Sequence, residues 1–133
     1  MRSDTQTVTI GAAPGDVVGF VGRVENLPKW AIGFAKEVRR GPGGWIVVTA
    51  QGEVGMSIAV DETVGTIDFH MAPAPGVEAV AYARAVPNGD GTEFMFTQFQ
   101  APDVGDEMFD QLVAAVGHEL VTLRALLEVE CPL

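Results

Sequence analysis

Residues 109–127, Phe109-Asp110-Gln111-Leu112-Val113-Ala114-Ala115-Val116-Gly117-His118-Glu119-Leu120-Val121-Thr122-Leu123-Arg124-Ala125-Leu126-Leu127, decide how the whole chain is read. Phe109, Leu112, Val113, Val116, Leu120, Leu123 and Leu127 recur at steps of three and four, which lays one apolar stripe along a long helix. Asp103, Asp106 and Glu107 stand before it, where a helix dipole favours negative charge, and Arg124 stands near its end. The spacing predicts a helix over residues 105–128. A single stripe needs a single surface to bury it.

That surface lies upstream. From Phe34 to Gln100 the period changes to two, and turn residues cut the chain into strands at 34–40, 45–50, 53–60, 63–71, 77–86 and 92–100. Gly41-Pro42-Gly43-Gly44, Gln51-Gly52, Pro73-Ala74-Pro75-Gly76 and Asn88-Gly89-Asp90-Gly91 are the strong breaks, with a weaker one at Asp61-Glu62. Val54, Met56, Ile58 and Val60 share one face of their strand, and Ile67, Phe69 and Met71 share one face of the next. Connections this short imply antiparallel neighbours.

At the front, Thr5–Ile10 alternates as a first strand. Ala13-Pro14-Gly15-Asp16 then opens a short helix, with Val17, Phe20, Val21 and Val24 on its apolar side. A second start follows at Asn26-Leu27-Pro28-Lys29-Trp30, with Asn26 as cap and an end near Gly33. The order is strand, two short helices, six strands, one long helix. This predicts an α+β fold and a single domain over 1–133, its antiparallel sheet of about seven strands curved around the C-terminal helix. One helix leaves part of such a concavity open, so an apolar cavity is expected between the two.

Composition excludes several functions. The 133 residues carry eight Lys and Arg against eighteen Asp and Glu, a net charge of −10. Residues 1–40 hold six basic side chains against four acidic ones, a net of +2, whereas the rest carries only Arg84 and Arg124 against fourteen acids. A surface of that sign repels polyanions and anionic bilayers, so no nucleic acid and no membrane insertion are expected. No apolar run reaches the roughly 18–20 residues of a membrane span. The opening residues show no secretory pattern and Cys131 has no internal partner, which points to the cytoplasm. Exposed strand edges leave room for a homodimer.

With these elements in order, the chain resembles the START-like or SRPBCC superfamily, the helix-grip fold, in its bacterial polyketide cyclase/dehydrase-like branch. The residues that carry the resemblance are the first strand running into Ala13-Pro14-Gly15-Asp16-Val17, the Asn26–Trp30 segment, the Val86-Pro87-Asn88-Gly89-Asp90-Gly91-Thr92 hairpin and the closing Leu126-Leu127-Glu128. The resemblance spans essentially the whole chain and implies a pocket for a small hydrophobic ligand between the sheet and the last helix. Members bind lipids, sterols, polyketides or plant hormones, and some close and dehydrate rings. It supplies no universal catalytic signature, and no cofactor.

The residues themselves offer little independent chemistry. Asp68 and His70 share a strand face, but burying Ile67, Phe69 and Met71 turns both to solvent. His118 lies off the apolar stripe, and two distant histidines with one terminal cysteine make no metal-ligand spacing. Neither serine, Ser3 or Ser57, sits in a nucleophile elbow. Arg84 is the one basic residue between positions 41 and 123, beside Tyr82 on a strand whose other face is Ala79, Ala81, Ala83 and Ala85. With the alanines outward, Arg84 would face the cavity and bind a carboxylate or enolate oxygen, with Tyr82 and Gln98 adding hydrogen bonds. With them inward, they would make room for a ligand and leave Arg84 as a solvent-facing ion-pair partner for an acid. The candidate lining is Trp30, Phe34, Met56, Tyr82, Arg84, Phe96, Gln98, Phe109, Leu112 and Val116. Three functions follow: binding of a small hydrophobic or amphipathic molecule, a cyclase or dehydratase using Arg84 and Tyr82 to polarise a carbonyl, or an acidic protein-interaction module without ligand.

Overall fold

The computed structural model describes residues 1–133. Strand β1 (Ser3–Ile10) leads into helix α1 (Pro14–Val21), a 3-10 turn (Val24–Asn26) and the short helix α2 (Leu27–Trp30). Strands β2 (Glu37–Gly41), β3 (Gly44–Thr49), β4 (Gly52–Asp61), β5 (Thr66–Ala74), β6 (Val77–Asn88) and β7 (Gly91–Phe99) follow, and helix α3 (Asp106–Glu130) closes the chain. The sheet is antiparallel, in the order β1-β7-β6-β5-β4-β3-β2. Five successive hairpins build it from β2 to β7, and β1 completes the far edge by pairing with β7 from Ser3↔Phe99 to Ile10↔Thr92.

The strand alternation decides which residues meet α3. Val8 and Ile10, Ile67 and Phe69, Ala81, Ala83 and Ala85, and Phe94 all turn to one face and bury there. Thr, Glu and Arg side chains occupy the other. α3 runs alongside β1 in the same direction. Arg2 pairs with Asp106 and Asp110 near its start, Gln6 Nε2 donates to the Val113 carbonyl at 2.8 Å, and the Gly11 N–H donates to Glu128 at 2.8 Å near its end. Phe109, Val116, Leu120, Leu123 and Leu127 bury as the stripe predicts, together with Glu119.

α1 lies against β5, β6 and β7 and buries Val17, Val18 and Val21. Val18 takes the place expected for Phe20, which stays half-buried. Asn26 does not cap α2. The 3-10 turn runs directly into that helix, leaving no free start to cap, and Asn26 Nδ2 donates instead to the Phe20 carbonyl at 2.9 Å. Both helical pieces end by Trp30 rather than near Gly33, and β2 starts at Glu37 rather than at residue 34. The reason is a tight turn: the N–H groups of Phe34 and Ala35 both donate to the Ala31 carbonyl, so residues 31–35 fold over α3 before the strand begins.

Gly65 governs the β4–β5 connection. Its φ is +75°, and a Cβ there would collide with the Ala85 carbonyl oxygen of β6. The Ala85 N–H donates to the Gly65 carbonyl at 2.9 Å, so this turn is stitched onto the neighbouring strand rather than left free.

Candidate functional site

The inner face of the sheet is sealed at one end and open at the other. Where α1 packs, Ile10, Ile67, Thr92 and Phe94 are all at 0% exposure, and Thr92 Oγ1 donates to the Ala12 carbonyl at 2.7 Å. At the opposite end, where α3 begins, Met71, Ala79, Trp45, Gln98 and Asp4 face inward yet are only half-buried. Leu112 and Met108 of α3 are 40% and 41% exposed. Leu112 thus lies on the apolar stripe without being covered, although Phe109, one turn earlier on the same helix, is buried.

The pairing register lines up the floor of this open end. Arg40 sits opposite Trp45, Trp45 opposite Met56, Met56 opposite Met71, and Met71 opposite Ala79, one inward-facing row across five strands. Unbranched methionines beside a small alanine give a surface that adapts to the shape of what it meets.

The middle of the cleft is filled by aromatic rings. Phe69 of β5 pairs with Ala81 of β6, and Ala83 of β6 pairs with Phe96 of β7. The two rings meet over the small residues with centroids 5.8 Å apart and planes tilted by 56°. The alanines of β6 therefore do face inward, and most of the room they leave is occupied by the Phe69–Phe96 pair. What remains open is short.

Each anticipated lining residue has a definite place. Gln98 Nε2 donates to the Leu112 carbonyl at 3.4 Å at the open end, while Met56 is buried at 5% exposure and Phe96 packs against Phe69. Phe109 and Val116 are buried under α3, Phe109 beneath the Arg2 guanidinium at 4.9 Å from its ring centroid. Trp30 is buried in the core at 3% exposure, and its Nε1 has no hydrogen-bond partner. Phe34 is half-buried in the turn over α3. Tyr82 and Arg84 lie on the outer face: Tyr82 is 45% exposed with its ring edge-on to Phe99, and Arg84 Nε donates to the Val64 carbonyl at 3.3 Å. The large rings of β5 and β7 require small residues between them, which forces the alanines in and Arg84 out. A carbonyl-polarising role for Arg84 and Tyr82 inside this cleft is thereby corrected.

Asp68 and His70 turn outward as expected, and His70 Nδ1 lies 3.0 Å from Glu78. Two open concavities mark the surface near this end of the sheet. One, of about 870 Å³, lies beneath the β5–β6 hairpin and takes in the inward-facing Trp45, Met56 and Met71 as well as the outward-facing Ile46, Ser57 and His70; the other, of about 410 Å³, lies between Ala79, Tyr82, Phe99 and Pro102. The first is bordered by the polar side chains of Glu53, Ser57, His70 and Glu78.

Glu119 is the residue that periodicity passed over. It is 6% exposed, and its carboxylate accepts from the Gly33 N–H at 3.1 Å with the Phe34 N–H close by, tying the 31–35 turn to α3. Burial pushes its carboxyl up to about 7, against the pull of those two backbone donors. The signal was present in the sequence: Glu119 sits three residues after Val116 and four before Leu123, on the buried stripe.

The arrangement of sheet and helices matches known structures over nearly the whole chain. The Bacillus cereus protein XoxI superposes with a TM-score of 0.72 at 18% identity, covering 98% of this chain and 99% of that one. The chain has the helix-grip fold. Another helix-grip neighbour is the di-domain ARO/CYC protein BexL of the BE-7585A biosynthetic pathway, with a TM-score of 0.73 at 16% identity over 98% of this chain and 48% of BexL. A third is Ara h 8.0201, with 0.69 at 14% identity over 97% and 99% of the two chains. No family model matches the sequence, and no curated protein matches it. No helix is long and apolar enough to cross a membrane.

Proposed function

We propose that residues 1–133 act as one cytoplasmic binding unit for a small apolar or amphipathic molecule, held in the cleft between the inner face of the sheet and the first half of α3. The observation that carries this reading is the contrast between the two ends of the cleft. Apolar inward-facing side chains are sealed at one end, while Trp45, Met71, Ala79 and Leu112 remain accessible at the other. Apolar surface left open inside a concavity gains free energy when a ligand covers it, at about 25 cal/mol per Å². The neighbouring structures named for an ARO/CYC protein and for Ara h 8.0201 support the reading at the level of fold. The Phe69–Phe96 pair limits the depth available, so the ligand is small.

The test is titration with the neutral fluorophore N-phenyl-1-naphthylamine, comparing the natural chain with Ala79→Trp. The indole at position 79 fills the open end. Probe emission rises on binding to the natural chain, and the variant binds at least roughly tenfold more weakly at unchanged circular dichroism. Equal binding by both chains places the probe elsewhere and removes the cleft from the argument.

A further inference from the structure

Resting on that reading, we infer that the ligand is an apolar molecule carrying one carboxylate, and that Arg40 binds the carboxylate at the rim of the cleft. Arg40 is the outermost member of the inward-facing row that continues through Trp45, Met56, Met71 and Ala79. Its guanidinium lies over the Trp45 ring, 4.5 Å from the centroid. Neighbouring Arg39 points to the other face and pairs with Glu53 at 2.7 Å, and Arg2 is taken by Asp106 and Asp110. Arg40 forms no ion pair, in a chain where acids outnumber bases by ten.

A guanidinium held over an indole leaves N–H donors that the ring does not use. Those donors form a planar fork which matches a carboxylate oxygen for oxygen. Contact with the ring also holds the long side chain in place, so less rotamer freedom is lost when an anion arrives. One guanidinium balances one negative charge. A second charge on the ligand would face the field of a protein at −10, which favours a monoanion over a phosphate. The apolar body of such a molecule would continue along Trp45, Met56 and Met71 toward Leu112.

The experiment displaces N-phenyl-1-naphthylamine with decanoate and, separately, with decanol, so that the same chain is presented with and without the charge. The natural protein is expected to prefer decanoate by roughly fivefold, the scale of one charge-assisted contact at a solvated rim. In Arg40→Gln the preference collapses toward unity, and Arg40→Lys restores part of it. Arg39→Gln, on the opposite face, keeps the full preference. Equal affinity of the natural protein for both compounds, or an undiminished preference in Arg40→Gln, overturns the assignment while leaving the cleft intact. Failure of the fluorophore itself to bind overturns the cleft, and this inference with it.

Discussion

Glu119 shows how one carboxyl can set the pH response of this fold. Its ordinary value of 4.5 is raised to about 7 by burial, so between those two values the native state holds a proton that the unfolded chain has released. A state that binds more protons gains stability as pH falls, and this contribution fades as pH rises through about 7. Between pH 5 and 8 the loss amounts to about 2 kcal/mol. Urea unfolding of Glu119→Gln at both pH values is expected to show a correspondingly flatter pH dependence than the natural chain, because glutamine does not titrate. Parallel curves would mean that the carboxyl is solvated in the native protein. Gly65 offers a second residue-level prediction. Gly65 and Gly76 share a φ of +75°, yet a Cβ at Gly76 meets open space whereas one at Gly65 strikes the Ala85 carbonyl. Gly76→Ala therefore costs about 1 kcal/mol from backbone strain, and Gly65→Ala about 3 kcal/mol or more because the turn must lift off β6. Equal shifts in thermal midpoint for the two variants would refute the docking of that turn.

At the level of the strand, β6 turns on a choice that its own residues leave open. Ala79, Ala81, Ala83 and Ala85 alternate with Val80, Tyr82, Arg84 and Val86, and a period of two does not say which set is buried. Its neighbours do say. Phe69 and Phe96 stand opposite Ala81 and Ala83, and only small residues between them let the two rings meet. Ala81→Leu is thus expected to cost about 1–3 kcal/mol by forcing a phenylalanine off its rotamer, whereas Ala79→Leu, at the open end, costs less than about 0.5 kcal/mol. A reversed order in chemical denaturation would place the rings elsewhere. The same logic explains what the sequence disclosed and what it withheld. Strand boundaries followed from Gly-rich and Pro-rich breaks, and α3 followed from its stripe, because both are local patterns. The face of β6, the coverage of Leu112 and the partnership of Arg40 with Trp45 depend on pairs formed across strands. The last of these was nearest to legible, since Gly41-Pro42-Gly43-Gly44 is a turn and Arg40 and Trp45 flank it symmetrically.

Charge acts on the molecule as a whole. A net of −10 on 133 residues makes the compact state repel itself, and dissolved salt screens that repulsion. Salt also screens the attractions of the two clear surface pairings, Arg2 with Asp106 and Asp110, and Arg39 with Glu53. These opposing effects have different reach. The ion pairs are few, short and solvated, and pairs of that kind contribute little to stability. The repulsion is summed over an excess of acids on β4, β5, β7 and α3, at separations comparable to the Debye length of about 10 Å at 0.1 M salt. Screening of the repulsion therefore wins, and the thermal midpoint is expected to rise by about 2–5 °C between 10 mM and 500 mM NaCl, a shift of the size that roughly 1 kcal/mol produces in a domain this small. The same salt should erode the preference for decanoate over decanol, because that preference rests on a single solvated charge at Arg40. The two trends are opposite in sign and come from one cause. A midpoint that falls with salt would mean that the paired arginines stabilise the folded chain more strongly than the excess of acids destabilises it.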